Sequence, residues 1–413
     1  MKTLSVNKKR LMDKIFELSG IGALKGGGVQ RLALTEEDRQ AREWLLKWME
    51  SLALKTCVDP IGNMFGFWGK GDASSTVLMG SHLDTVGTGG IYDGSLGVIA
   101  AMEIITVLQS IGLEPTARIG VVNFTNEEGV RFTPDMMGSL FMSKGISKEA
   151  ALRSKVVGSE DLILQNELQK IGFSGDFDST GILPTAYLEL HIEQGPVLEH
   201  EAKDIGVVEK VQGIHWTRYT LMGLANHAGT TPMDLRKDAG YVMSKLGVYL
   251  RELAVKTGHL VGTIGSVDFC PNLINVIPEK VSFTIDLRHP QFSTLQEAQN
   301  DIEKYLSALC SEEGVKLEKK DLVRADPVDF DPHLVDRLHT KAKELGYNTR
   351  KMISGAGHDA QMMAGICPSA MIFIPSKQGL SHNVNEYSSP DDIEKGANLL
   401  LNVVATLSGM GGT

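Results

Sequence analysis

Cysteine is scarce in this chain and shows no disulfide or metal-binding spacing. The 413 residues include only Cys57, Cys270, Cys310 and Cys367, and no two of them form a CxxC pair. Neither a disulfide framework nor a thiolate zinc site is therefore indicated, and a reducing cytoplasm is the predicted location. The sequence also has no GxSxG nucleophile elbow, which argues against a serine hydrolase of that type.

Positive charge and long hydrophobic runs are lacking as well. The net charge is −10, whereas nucleic acid and anionic membrane surfaces require a basic footprint. The most apolar longer stretch, 96–111, contains Glu103 and Gln109 and is too short and too polar to span a bilayer. The first twenty residues resemble an amphipathic helix without the apolar core of a signal peptide. We therefore expect a soluble protein with no nucleic-acid or membrane partner.

Short apolar runs alternate with helical patterns in the outer parts of the chain. The runs are STVLMG (75–80), RIGVVNF (118–124), AYLEL (186–190) and SAMIFIPS (369–376), and a long apolar helix is predicted over 95–109. Continuous apolar runs that are separated by helices are typical of a buried parallel sheet. The sequence therefore predicts an α/β fold for these parts.

The middle of the chain has a different pattern. Strands are predicted at about 216–225, 261–269, 280–288 and 315–325, with helices over 234–258 and 293–314. The order β-α-β-β-α-β is typical of a ferredoxin-like unit. We therefore predict an inserted α+β domain at 212–328, and a larger domain formed by 1–211 and 329–413.

Ionisable side chains follow each of the four predicted sheet strands. In open α/β sheets, ligands bind beyond the carboxyl ends of the strands, so these groups are expected to converge. Imidazoles mixed with carboxylates favour zinc, manganese, cobalt or nickel over magnesium or calcium. With a bridging carboxylate the ligands suffice for two ions. The residues are His82, Asp84, Asp93, Glu127, Glu128, His191, Glu193 and His382.

Nine segments in these regions resemble, in order, the motifs of the hydantoinase/carbamoylase amidases, within the M20 superfamily of dinuclear metal aminoacylases and carboxypeptidases. The resemblance extends from about Gly27 to the end of the chain. It implies a phosphorylase/hydrolase-like catalytic domain with a mixed sheet and an inserted ferredoxin-like lid and dimerisation domain. The segments are GSHLDTV, GGIYDGSLGV, TNEEGVRF, ELHIEQGPVLE, NHAGTTPMDLRKDA, INVIPE, DLRHP, SGAGHDA and SHNVNE.

The resemblance also implies roles for the strand-end residues. Asp93 would bridge two divalent ions. Asp84 would orient His82, and Glu127 would act as the general base. The remaining ligands would be His82 and His191 for one ion, and Glu128 and His382 for the other.

Substrate contacts are implied by the same resemblance. His227 would stabilise the oxyanion, in some relatives across a dimer interface, and Asn275 and Arg288 would bind a substrate carboxylate. From the residues alone, Arg288 is better explained as a strand-end arginine in a surface ion pair. The pocket would also be lined by Gln194 and by Gly355, Ala356 and Gly357, and His358 is assigned to no metal.

The function implied is hydrolysis of the carbamoyl C–N bond of N-carbamoyl-L-amino acids to amino acid, carbon dioxide and ammonia, by a homodimer with two metal ions. Allantoate amidohydrolase and then β-ureidopropionase are the alternatives, since each substrate has a ureido group and a carboxylate. A peptidase is disfavoured because related peptidases often have a carboxylate where this chain has His191. A catalytically silent binding protein is disfavoured because Glu127 and all five ligand candidates are present.

Overall fold

The computed structural model describes residues 3–112 and 114–410. It divides into two compact units, one formed by the chain up to Glu209 and from Asp329 onward, the other by Lys210–Val328. Within the described residues, no helix combines the length and apolar character needed to cross a membrane. The predicted mixed α/β class is confirmed.

Strands and helices are numbered here in chain order over the described residues. The strands are β1 (Lys55–Val58), β2 (Met64–Trp68), β3 (Thr76–His82), β4 (Arg118–Phe124), β5 (Ala186–Ile192), β6 (Ile205–Val211), β7 (Gly213–Met222), β8 (Val261–Cys270), β9 (Lys280–His289), β10 (Lys316–Ala325), β11 (Val328–Asp329), β12 (Thr349–Ser354) and β13 (Ser369–Ile374). The helices are α1 (Lys8–Ser19), α2 (Glu36–Ser51), α3 (Ser95–Ser110), α4 (Met137–Met142), α5 (Lys148–Leu152), α6 (Leu164–Ile171), α7 (Val197–His200), α8 (Ala239–Thr257), α9 (Phe292–Glu313), α10 (Pro332–Glu344), α11 (Asp359–Met363) and α12 (Pro390–Leu407).

The first unit is built on a mixed sheet with the order β1-β2-β4-β3-β5-β13-β6-β11, and β12 also pairs with β6. β3 pairs in parallel with β4 and β5, and β13 pairs in parallel with β5. β2 and β6 add antiparallel neighbours on the two sides. β3, β5 and β13 are buried along their whole length, as expected for their continuous apolar sequences. The carboxyl ends of β3, β4, β5 and β13 therefore lie at one edge.

Helix α3 is buried on nearly all sides, which explains its apolar sequence. Its one acidic residue, Glu103, is buried and accepts two hydrogen bonds from the Arg10 guanidinium, at 2.6 and 2.7 Å. The backbone N–H of Asn7, the N-cap of α1, donates to the same carboxylate. The charged residue within this apolar stretch therefore attaches α1 to α3.

The second unit has the predicted β-α-β-β-α-β order, with an antiparallel sheet of order β10-β7-β9-β8. Alternate residues of β9 point into its core, where Val281, Phe283, Ile285 and Leu287 pack with residues of α8 and α9. The opposite face of the sheet carries the half-buried residues of the same strand. The role of this unit as a lid and dimerisation domain stays a prediction.

A fully buried arginine joins three segments of the first unit. Arg31 donates hydrogen bonds to the carbonyls of Leu83 and Ile21, at 2.7 and 3.0 Å, and to Ser95 Oγ at 2.9 Å. Leu83 lies in the loop after β3 and Ser95 begins α3. Arg31 therefore fixes both ends of the loop between β3 and α3, which carries the predicted ligand Asp93, and its side chain is almost inaccessible to solvent that could replace these contacts.

We expect Arg31→Met to lower the free energy of unfolding by about 3 kcal/mol, because buried acceptors lose a charged donor. Urea denaturation followed by circular dichroism measures the change. Arg39→Met is the matched control, because Arg39 lies on α2 and its pairs with Glu36 and Glu43 are partly exposed. Equal destabilisation by the two substitutions would contradict the role given to Arg31.

Candidate metal centre

The sheet edge brings together the five predicted metal ligands. His82 is the last residue of β3, Glu128 follows β4 and His191 lies one residue before the end of β5. Asp93 precedes α3, and His382 lies in the loop after β13. Their potential ligand atoms form overlapping groups, which include His82 with Asp93 and His191, and Asp93 with Glu128 and His382.

Asp93 occupies the centre of these groups and faces them with different oxygens. Its Oδ1 lies 3.2 Å from His191 Nε2 and 3.9 Å from His82 Nε2. Its Oδ2 lies 3.5 Å from His382 Nε2, which is in turn 3.3 Å from Glu128 Oε2. This arrangement offers two adjacent ligand sets that share one carboxylate.

The donor atoms fit divalent cations of the zinc type. Ligand atoms about 2.0–2.2 Å from one ion at tetrahedral angles lie about 3.3–3.6 Å apart, close to most of the distances around Asp93. Glu128 Oε1 is buried and has no hydrogen-bond partner among the described residues. A bound cation would satisfy this oxygen, so the residues present are suitable for metal binding.

The carboxylates of the centre disfavour each other's ionised forms. Burial, and then the charges of Glu128 and Asp359, raise the pKa of Glu127 well above its usual value. Burial and the charge of Asp93 likewise raise the pKa of Glu128, although His382 opposes this shift. Positive charge placed between these groups would stabilise their ionised forms.

The histidines respond differently to the same surroundings. Burial lowers the pKa of His82 to about 4, so its ring is neutral near pH 7 and can donate a lone pair. Burial also opposes the protonation of His191, but Asp93 outweighs it and raises the pKa to about 9. The hydrogen bond to Glu128 raises the pKa of His382 to about 9. A divalent cation would displace these two protons.

Asp84 differs in detail from its predicted role. His82 Nδ1 lies 2.9 Å from the backbone carbonyl of Asp84, whereas the Asp84 carboxylate is 4.0 Å away. That carboxylate accepts hydrogen bonds from the backbone N–H groups of Glu127 and Glu128, at 3.2 and 3.3 Å. Asp84 thus orients His82 through its main chain and positions the Glu127–Glu128 loop through its side chain.

Unfavourable backbone conformations are found next to the centre. Asn126, Gln194 and His382 have φ values of 56°, 55° and 53°, in the left-handed region that non-glycine residues rarely adopt. Gly94 also has a positive φ, and a Cβ at this position would lie 2.2 Å from the His82 ring. Glycine therefore lets the loop that carries Asp93 approach His82 closely.

A hydrogen-bond network that the sequence did not reveal holds Asp93 in place. Glu386 is buried and accepts from the backbone N–H groups of Tyr92 and Asp93, each at 3.1 Å. Ser381 Oγ and Gln194 Nε2 each donate to Asp93 Oδ2 at 2.9 Å. Glu386 and Ser381 lie in the segment SHNVNE, but no local pattern indicates that their side chains reach back to Asp93.

The predicted pocket loop Gly355–Gly357 leads into His358, whose ring centroid is 4.6 Å from that of His191. His358 is buried, and its Nε2 lies 3.0 Å from Ser354 Oγ. Glu189 is also buried, and it accepts hydrogen bonds from Ser81 Oγ and from the backbone N–H of Ala360. The sequence signal for this buried acceptor was the position of Glu189, a charged residue inside the apolar run AYLEL.

The other predicted substrate contacts lie in the second unit. His227 and Asn275 are exposed and lie on adjoining segments, since the backbone N–H of Ala228 donates to the carbonyl of Asn275 at 3.0 Å. Arg288 lies on β9, and its guanidinium contacts the carboxylate of Asp286 at 2.7–3.2 Å. The ion pair considered from the sequence is therefore present within the strand.

Comparison with known proteins identifies the family. The profile of Peptidase family M20/M25/M40 matches residues 78–406. An N-carbamoyl-L-amino-acid amidohydrolase from Rhizobium meliloti is 39% identical over 401 residues, which cover 97% of this chain and 96% of the relative. An allantoate amidohydrolase from Bacillus subtilis is 35% identical over 410 residues, covering 97% and 98%.

A crystal structure of an amidase of the hydantoinase/carbamoylase family from Burkholderia multivorans superposes with a TM-score of 0.95, at 37% identity and 98% coverage of both chains. The similarity therefore includes both units of the chain. With candidate metal ligands at the expected sheet edge, the chain belongs to Peptidase family M20/M25/M40 and, within it, to the hydantoinase/carbamoylase amidases, which makes it a hydrolase of non-peptide carbon–nitrogen bonds.

Proposed function

We propose that the protein hydrolyses the carbamoyl C–N bond of N-carbamoyl-L-amino acids, with two divalent ions of zinc, manganese, cobalt or nickel. The observation that carries the proposal is the placement of Glu127, whose Oε2 lies 3.4 Å from His82 Nε2, beside two ligand sets that share Asp93. A carboxylate in that position can accept a proton from a water molecule at the centre. The names of the most similar relatives support the substrate class.

Each group in the reaction has a defined task. When bound, the ions polarise the ureido carbonyl and lower the pKa of water. Glu127 takes a proton from the attacking water and returns it to the departing nitrogen. Burial and the neighbouring carboxylates raise the pKa of Glu127, which makes its ionised form a stronger base. The products are the amino acid, carbon dioxide and ammonia.

Gln194 is suited to orient a ureido group. Its Nε2 donates to Asp93 Oδ2 and to Ser381 Oγ, at 2.9 and 3.2 Å, which fixes the side-chain amide. Its Oε1 is buried and lacks a hydrogen-bond partner within the part of the chain that the structure describes. A ureido N–H is a donor of the required kind, and binding it would satisfy this acceptor.

Metal removal and two substitutions distinguish the role of the proposed base, Glu127, from that of the metal ligands. Chelation should abolish ammonia release from N-carbamoyl amino acids, and Mn²⁺, Co²⁺, Ni²⁺ or Zn²⁺ should restore it. We expect Glu127→Gln to retain metal and to lower kcat at least about a hundredfold, because only the base is lost. His382→Ala should lose metal, since it removes a ligand.

Metal content by mass spectrometry and ammonia release by a coupled assay are measured on the same samples. Lys9→Gln on the exposed surface of α1 is the control, and it should match the native protein in both measurements. Near-normal turnover of Glu127→Gln would show that Glu127 is not the base. Loss of metal from this variant would instead make it a ligand.

The hydrogen bonds of His227 define its tautomer. The backbone N–H groups of Gly229 and Thr230 donate to His227 Nδ1, at 3.0 and 3.2 Å. Nδ1 is therefore an acceptor, and in the neutral ring the proton is on Nε2. An exposed ring that presents Nε2–H is suited to donate to a developing oxyanion.

The two predicted carboxylate ligands lie at opposite ends of one strand. Arg288 is near the end of β9, whereas Asn275 precedes its first residue, Lys280. At about 3.4 Å per residue, Lys280 to Arg288 alone spans about 27 Å. A substrate carboxylate cannot contact both residues in one protomer. If both bind substrate, one of them comes from a second copy.

We therefore propose a homodimer whose active sites are composite. In support, β8 is an edge strand of the second unit's sheet, and its exposed residues include Val267 and Phe269. An exposed apolar edge is a suitable surface for pairing with another chain. His227 and Asn275 adjoin each other and would act together at the same site.

Mixing two inactive variants tests this arrangement. Protein with His227→Ala and protein with Glu127→Gln should each be nearly inactive. If His227 serves the partner's centre, each hybrid dimer contains one intact site of two. Random subunit exchange in an equimolar mixture makes about half of the dimers hybrids, so about a quarter of native activity should return. Ammonia release and native mass spectrometry of the mixture measure activity and hybrid formation.

The control mixes Glu127→Gln with His382→Ala, whose residues both belong to the first unit. This pair should give no recovery, because a hybrid then has no intact centre. Absence of recovery in the first mixture, with hybrids detected, would place His227 at the centre of its own chain.

Allantoate amidohydrolase is the second candidate, because a relative of that name is 35% identical, close to the 39% of the carbamoyl-amino-acid relative. β-Ureidopropionase is the third. All three substrates present a ureido group and a carboxylate, so the same centre and the same arginine would serve each of them. A panel of N-carbamoyl-L-amino acids, allantoate and N-carbamoyl-β-alanine, compared by kcat/KM, separates the candidates.

A role of Arg288 in binding the substrate carboxylate gives a quantitative expectation. Arg288→Ala should lower kcat/KM about tenfold to a hundredfold, because a hydrogen bond to a charged group contributes roughly 1.5–3 kcal/mol. Arg288→Lys should retain more of the native kcat/KM than Arg288→Ala but not all of it, since an ammonium group lacks the planar, two-pronged geometry of a guanidinium. Arg218→Ala is the control, an arginine on the same face of the sheet with no assigned role.

Comparing the acid substrate with its neutral amide in both proteins completes a double-mutant cycle. Replacing the substrate carboxylate with the amide should lower kcat/KM strongly for the native enzyme and only slightly for Arg288→Ala. A coupling energy near zero would assign Arg288 to its ion pair with Asp286 alone.

A further inference from the structure

The sheet of the second unit has one open face, on which Arg288 lies. Along β9 the residues Val281 to Leu287 at odd positions point into the core, so Asp286 and Arg288 point to the other side. Residues paired across neighbouring strands point to the same face of a sheet. The Cα partners of Arg288 are Ile214 on β7 and Val261 on β8, and the partner of Asp286 on β7 is Trp216.

Apolar side chains on this face are concentrated around Arg288. Val261 is 50% exposed and Trp216 is 38% exposed, although neither belongs to the core. The middle of this face, along the same strand pair, is polar, with Arg218 beside Thr284 and Thr220 beside Ser282. A solvated sheet face normally carries polar residues throughout, so the apolar end needs a separate explanation.

We propose that Ile214, Trp216 and Val261 contact the side chain of the substrate whose carboxylate binds Arg288, so that the enzyme prefers N-carbamoyl-L-amino acids with large apolar side chains. This inference rests on the proposed function. It names the substrate class within that function and three residues that determine specificity.

The dimensions of an amino acid fit this arrangement. Its carboxylate and its side chain are bonded to the same carbon atom, so a group that binds the carboxylate has the side chain beside it. Directly opposite residues on neighbouring strands have Cβ atoms about 4.5–5.5 Å apart, and diagonal neighbours remain within reach of aromatic side chains. Trp216 is the diagonal neighbour of Arg288 across the β7–β9 pair. Its indole offers a large contact surface at a low cost in side-chain entropy.

Allantoate fits the same surface poorly. Where an amino acid derivative has a side chain, allantoate has a second ureido group, which carries several N–H donors and a carbonyl. Contact with Ile214, Trp216 and Val261 would remove water from these groups without providing hydrogen-bond partners, and such burial is unfavourable. The apolar end of the face therefore favours the carbamoyl amino acid over the second candidate substrate.

The native enzyme provides the first test. We expect kcat/KM for N-carbamoyl-L-phenylalanine and N-carbamoyl-L-methionine to exceed that for N-carbamoylglycine at least tenfold, and to exceed that for allantoate by more. Equal efficiency with the glycine and phenylalanine derivatives would overturn the inference and leave the proposed function intact. Failure to hydrolyse any carbamoyl amino acid by the metal-loaded protein would overturn the proposed function itself.

Substitutions then test whether Trp216 and its neighbours cause the preference for large apolar side chains. Trp216→Ala should lower kcat/KM for the phenylalanine derivative about tenfold and change the value for the glycine derivative less than twofold. Trp216→Phe should retain most of the preference, because it keeps an aromatic ring. Met222→Ala is the matched control, since Met222 lies on the same strand and face but next to Lys280, at the other end of β9.

The ratio of the two substrates distinguishes recognition from general damage. A folding defect in Trp216→Ala would lower both kcat/KM values together, and Ile214→Ala would then provide the independent test of the same ratio. An unchanged ratio in both variants would overturn the assignment of these residues.

Discussion

The burial of several carboxylates at one edge of a sheet is the constraint on which the rest of this structure depends. Asp84, Asp93 and Glu127 are all nearly inaccessible to solvent. Burial and neighbouring carboxylates raise the pKa of Asp84 and Glu127, whereas at Asp93 burial is outweighed by the hydrogen bond from His191, which holds the pKa of Asp93 below its usual value. Such a cluster is stable only with protons or cations among the carboxylates. Histidines supply the compensating groups, and the same atoms are the ligands that divalent metals prefer. The buried carboxylates and histidines are therefore responsible both for the electrostatic cost of the cluster and for its suitability to bind metal ions.

The surroundings of the centre are arranged to keep these groups in place. Arg31 fixes the loop after β3 and the start of α3, and Glu386 accepts hydrogen bonds from the backbone N–H groups of Tyr92 and Asp93. Left-handed conformations at Gln194 and His382 are maintained only where neighbouring contacts outweigh their cost. The hydrogen bonds from Gln194 and Ser381 to Asp93 are contacts of that kind. These contacts hold the candidate ligands in one arrangement, as a metal site of defined geometry needs.

The sequence predicted those features that follow from periodicity and connectivity. Buried apolar runs indicated parallel strands, and residues after their carboxyl ends had to meet, which placed His82, His191 and His382 together. The contacts that the sequence did not reveal are those between loops that are distant in the chain and adjacent in the fold. Glu386 reaches Asp93 across 293 residues of chain, and the Asp84 carboxylate binds a loop that begins 43 residues later. The separation of Asn275 from Arg288 was, by contrast, available from strand length alone, because an extended strand lies between them.

The two units carry different parts of the proposed activity, and this division bears on the identity of the substrate. In the proposed reaction the centre in the first unit contacts only the ureido group, which all three candidate substrates share. Relatives named for carbamoyl amino acids and for allantoate have similar identity to this chain, so overall identity does not separate them. Discrimination must then come from groups that touch the part of the substrate that differs. In this chain the neighbours of Arg288, the proposed carboxylate ligand, are the indole of Trp216 and the aliphatic side chains of Ile214 and Val261. These groups can contact an apolar side chain favourably, but they offer no hydrogen-bond partners to a second ureido group.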